Sequence, residues 1–85
     1  MADATTARRW TDPDGTHIDV RGLPAPAPLV AILSLVQGSG SDATVIVHHD
    51  RDPQLLYGEL ALLGWGAERI DAPAGEVRLR LRRAS

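Results

Sequence analysis

Four consecutive residues, His48-His49-Asp50-Arg51, place two imidazoles, a carboxylate and a guanidinium in one short run. Arg21-Gly22 stands in front of a second run rich in proline, Pro24-Ala25-Pro26-Ala27-Pro28. Imidazole and carboxylate side chains move protons or ligate metals, whereas guanidinium and imidazole N–H groups together favour an anion. The chain has no cysteine, which excludes disulfides, thiolate metal ligands and sulfur nucleophiles. No serine–histidine–acid order or phosphate loop is recognisable, and Asp50 and Asp52 stand too close together, at a helix start, to work as an acid–base pair. The residues therefore read as a binding module rather than an enzyme. The candidate ligand site comprises Arg21, Gly22, Ala25, His48, His49, Asp50 and Arg51. The rival reading is a metal- or haem-associated redox protein, or an enzyme, using His49 and Asp50. Against metal, His48 and His49 point to opposite faces of a strand, and His17 is the only other imidazole. No metal site and no cofactor is assigned.

The elements that must position these residues follow from periodicity. Asp12-Pro13-Asp14-Gly15 is a turn, with a short strand Arg9–Thr11 before it. After it, Ile18 and Val20 alternate with His17, Asp19 and Arg21, the period of a half-buried strand. Prolines keep residues 24–28 extended until a helix starts at Pro26 or Pro28. Leu29, Ile32, Leu33 and Val36 then recur on one helical face, ended by Gly38. Residues 43–48 form a β-branched strand, and Asp52 and Pro53 read as N-cap and first residue of a second helix with Leu56, Leu60 and Leu63 inward. Strands over 65–71 and 76–82 complete the chain. The order is βαβαββ: an α/β (α+β) two-layer sandwich with both helices on one face of a mixed four-stranded sheet, and 9–11 available as an extra N-terminal strand. The opposite face carries His17, Asp19, Arg21, Arg78, Arg80 and Arg82 and reads as solvated.

Asp19-Val20-Arg21-Gly22-Leu23-Pro24-Ala25-Pro26 resembles the strand-to-helix signature of the TusA/SirA sulfur-carrier family, which has Cys-Pro-x-Pro after a Gly-Leu pair. The resemblance implies the same sandwich, with the last strand antiparallel and inserted between the second and third. In that family the cysteine carries a persulfide; here Ala25 stands at its position. His49-Asp50-Arg51-Asp52-Pro53 is similar to a cysteine-free, uncharacterised branch, a domain of unknown function sometimes fused to hemerythrin-like domains. What the resemblance leaves to this chain is geometry: two strand ends side by side, each leading into a helix N-terminus that attracts anions.

Length and charge narrow the partners. Eighty-five residues hold one domain, read as 9–85 behind a disordered tail at 1–8. Eleven acids against nine bases give a net charge of −2, which does not favour nucleic acid. Arg78, Arg80 and Arg82 offer a stripe to an acidic protein partner, or pair with Glu68 and Asp19 across strands. No apolar run reaches membrane-spanning length and no signal-peptide core stands at the N-terminus, so the expectation is a cytoplasmic protein, with neither membrane nor nucleic acid as partner. Trp65 and Tyr57 read as core or core-edge residues; Trp10 is left open between packing and exposure.

Overall fold

The computed structural model describes residues 7–84. The tail expected at 1–8 falls outside the described residues up to position 6, and Arg8 already belongs to a strand. The elements are β1 (Arg8–Asp12), β2 (Gly15–Asp19), α1 (Ala27–Gln37), β3 (Thr44–His49), α2 (Gln54–Leu62), β4 (Trp65–Ile70) and β5 (Val77–Arg83). They form one five-stranded mixed sheet in the order β1-β2-β3-β5-β4. The extra N-terminal strand is thus present. β5 lies between β3 and β4, antiparallel to both, while β2 and β3 are parallel.

Strand alternation decides which residues meet the helices. Ile18 and Val20 from the β2 side, Val45 and Val47 from β3, and Leu79 and Leu81 from β5 turn to one face and pack with Ile32 and Val36 of α1 and Leu56 and Leu60 of α2. Trp65 closes this core at 5% exposure, and Tyr57 packs at its edge. A two-layer sandwich with both helices on one face results. No helix among the described residues is long and apolar enough to cross a membrane.

The first hairpin is set by its turn. Asp12 pairs with Gly15, which puts Thr11 against Thr16 and Trp10 against His17. Gly15 has φ +138, and a Cβ there would stand 2.5 Å from the Thr44 carbonyl oxygen, so β2 starts this close beside β3 only because this residue is glycine.

The helix starts depart from expectation in one detail. Pro53, not Asp52, is the N-cap of α2, with φ −83 and ψ 81, and no side chain caps the helix. The Asp52 carboxylate is drawn away from the helix amides by the Gln54 side-chain amide at 2.6 Å and by the Tyr57 hydroxyl, which donates to its other oxygen. The face opposite the helices also differs from a plainly solvated surface. Ile46 is 1% exposed there, and His17 and His48 are each 7% exposed.

Candidate ligand-binding site

The loops after β2 and β3 lie side by side at the same end of the parallel pair. Val20 donates its N–H to the His48 carbonyl at 3.0 Å, and the Gly22 N–H donates to Asp50 Oδ2 at 3.1 Å. Gly22 reaches that position with φ +80, a conformation open chiefly to glycine. The contact holds the Asp50 carboxyl below the usual carboxylate range, the Gly22 N–H being the main cause.

Between the two loops is a cavity of about 260 Å³. Leu23, Pro26, Pro28 and Leu29 wall it on the α1 side, and Pro53, Leu55 and Leu56 on the α2 side. Both helices point their N-terminal ends toward it, and neither end carries a side-chain cap. Ala25, His49, Arg51, Asp52 and Gln54 line it as well. A wider groove of about 710 Å³ runs along the other flank of α1, but its only charged lining side chain is the exposed Arg9.

His49 is the polar group at the base of the cavity. It is the last residue of β3, and alternation turns it to the helix side with Val45 and Val47. It is 4% exposed. Its Nδ1 accepts the backbone N–H of Asp50 at 2.9 Å and that of Arg51 at 3.3 Å. An imidazole nitrogen that accepts two N–H groups carries a lone pair, so the ring proton resides on Nε2. Among the described residues that Nε2–H has no protein acceptor, and since no buried side-chain polar atom there is left unpaired, it is open to water in the cavity. The 3.1 Å separation of Nδ1 from Asp50 Oδ1 is therefore a contact between two acceptors, not a hydrogen bond.

The other sequence-derived residues are distributed differently. Arg21 does not enter the cavity; its guanidinium forks onto Asp19 at 2.9 and 2.8 Å and reaches Glu76 at 3.2 Å. The fork holds the Asp19 carboxyl below its ordinary range and raises Arg21 further. His48 faces the opposite side of the sheet, where its Nδ1 meets Glu76 Oε2 at 2.9 Å and its Nε2 meets His17 Nδ1 at 2.8 Å. Burial pushes the His48 imidazole below its usual value, with Glu76 opposing. The structure thus gathers Ala25, His49 and Arg51 around one cavity, uses Gly22 and Asp50 to tie its two loops, and places Arg21 and His48 outside it.

Glu76 escaped sequence reasoning, and Trp10, left open there, finds its place in the sheet. Glu76 has a side chain only 7% exposed and takes Arg78 at 2.7 Å, Arg21 and His48 together, so its carboxyl is held low, mainly by Arg78. Trp10 stacks on His17 with ring centroids 5.0 Å apart. The hairpin turn alone predicts the Trp10–His17 register; nothing local signals Glu76.

Residues 17–83 match the model of a family described as an uncharacterized conserved protein (DUF2249). The chain belongs to the DUF2249 family. No curated protein matches it. In this DUF2249 domain both loops of the cavity lie inside the matched span, whereas Trp10, Asp12 and Asp14 precede it.

Proposed function

We propose that this DUF2249 domain is a non-catalytic binding module on a TusA-like scaffold, and that it takes a small organic anion, a carboxylate with a short apolar tail, in the cavity between the two helix N-termini. The observation that carries this reading is His49: a buried imidazole whose tautomer is fixed by two backbone N–H groups and whose Nε2–H is left without a protein acceptor at the base of an apolar cavity. No buried side-chain polar atom among the described residues lacks a partner, so this N–H is open to water in the cavity, and a ligand oxygen that replaces the water contributes about 0.5–1.5 kcal/mol. Proline and leucine walls suit an apolar tail. The helix dipoles and the exposed Arg51 favour negative charge, and the Asp52 carboxylate that also lines the cavity has its oxygens taken by Gln54 and Tyr57.

Ala25 lines this cavity at the position of the carrier cysteine in the resembled family. Its methyl group keeps the wall apolar and holds no sulfur, so the scaffold supplies shape and donors rather than a transfer step. The arginine stripe gives less support to a protein partner. Arg78 is engaged by Glu76, and Arg80 donates to Glu68 through Nε at 3.0 Å.

The test is a titration of the 15N-labelled chain with butyrate, followed by backbone amide shifts. The reading expects saturable shifts confined to residues 23–29 and 49–56. Shifts scattered elsewhere, or none with butyrate or longer short-chain carboxylates, overturn it.

A further inference from the structure

A separate cluster lies on the sheet face without helices, at the first hairpin. The turn suspends two carboxylates over His17: Nε2 is 2.7 Å from Asp14 Oδ1 and 3.6 Å from Asp12 Oδ2. The three ligand atoms lie within 4.8 Å of one another. His17 is 7% exposed, while the Asp12 and Asp14 side chains are 51% and 61% exposed and open to water.

Hydrogen-bond direction shows what this point lacks. Glu76, held ionised by Arg78, can only accept, so His48 donates to it through Nδ1–H. A neutral imidazole has one N–H, so His48 Nε2 is an acceptor, and His17 must donate to it through its own Nδ1–H. His17 Nε2 then carries a lone pair. It faces carboxylate oxygens, which also offer only lone pairs. In the neutral ring three acceptor atoms converge here, and what bridges them is either a second ring proton, donated to Asp14 at 2.7 Å, or a metal cation in its place.

We propose that Asp12, Asp14 and His17 form a binding site for a divalent transition metal of the zinc class. Ligands at ~2.0–2.2 Å in a tetrahedral shell stand ~3.3 Å apart, and the two nitrogen–oxygen separations bracket that spacing. An imidazole among the donors selects zinc, nickel, copper or cobalt over calcium or magnesium. The outer shell is already built: His48 and Glu76 orient His17, and the Trp10 indole N–H donates to Asp12 Oδ2 at 3.1 Å. Water reaches the remaining coordination position through the exposed carboxylates. Among the described residues His49 and Asp50 are not joined by a third ligand, whereas the hairpin brings two aspartates to His17. Asp12 and Asp14 precede the span shared with the family, so the site belongs to this chain's hairpin.

The experiment is calorimetric titration of the full chain with Zn²⁺ in a non-chelating buffer, with Asp14→Ala and His17→Gln in parallel and circular dichroism as the folding control. The proposal expects one Zn²⁺ per chain, at least tenfold weaker binding in Asp14→Ala, and loss in His17→Gln. Asp14 is exposed, so its variant decides the matter even if His17→Gln fails to fold. Absence of a one-to-one Zn²⁺ isotherm in the wild-type chain, or an isotherm unchanged by Asp14→Ala, overturns the proposal; the latter would mean an ion held elsewhere.

Discussion

Asp50→Ala cuts the hydrogen bond that ties the two loops of the cavity together. The bond is 3.1 Å from Gly22 N–H to Oδ2, with a charged acceptor. Hydrogen bonds to charged groups contribute about 1.5–3 kcal/mol. The Asp50 side chain is 35% exposed and Gly22 is exposed, so water replaces part of what is lost. That brings the expected loss to about 1 kcal/mol, or a fall in Tm of roughly 4–8 °C for a domain of this size. The sign of the pH dependence follows from the depressed carboxyl. A group whose folded pKa lies below its unfolded value of about 3.9 contributes fully above that value and loses its contribution as pH falls through the folded pKa. Thermal unfolding of wild type and variant should therefore differ at pH 7 and converge as the pH is taken below about 4. A gap that is absent at pH 7, or that persists unchanged at pH 2.5, refutes the reasoning.

The chain has a single tyrosine, Tyr57, whose pKa is pushed up to about 12 by burial and by donation to Asp52. Its absorbance titration should centre near that value in the folded chain and near 10 in denaturant; a folded midpoint at 10 contradicts the burial. Because the folded pKa is raised, the neutral phenol's stabilisation is complete below about pH 10 and is lost as pH rises through the folded value. Gly15→Ala meets both a positive φ and a 2.5 Å approach to the Thr44 carbonyl oxygen, so it should destabilise by more than the roughly 1–3 kcal/mol of backbone strain alone. A denaturant midpoint within error of wild type would contradict that geometry.

Much of the architecture was legible in local pattern. Ile18 and Val20 announce a half-buried strand, residues 43–48 a buried one, and Ile32 with Val36 the inward face of α1, because each pattern repeats at the period of its element. The order of the strands was not carried by any period. Insertion of β5 between β3 and β4 came from the resemblance, and the sheet has it. The candidate site divided along a physical line. His49 and Ala25 reach one cavity because their positions follow from strand parity and loop proximity. Arg21 and His48 stand at the same two junctions, but strand parity turns them to the opposite face, where Asp19 and Glu76 hold them. The His17–His48 contact depends on the parallel register of β2 and β3, which is fixed by the whole sheet rather than by either segment. Asp52 failed as a cap because Tyr57, five residues on, reaches the same carboxylate.

The central claim is that His49 holds an unspent N–H at the base of the cavity, and long-range 1H–15N correlation spectra of the imidazole observe that group directly. The account predicts the Nε2–H tautomer in the free chain, with Nδ1 unprotonated, and movement of the Nε2 signals on addition of butyrate. A ring protonated on Nδ1, or Nε2 signals that stay fixed while other sites respond, would contradict it.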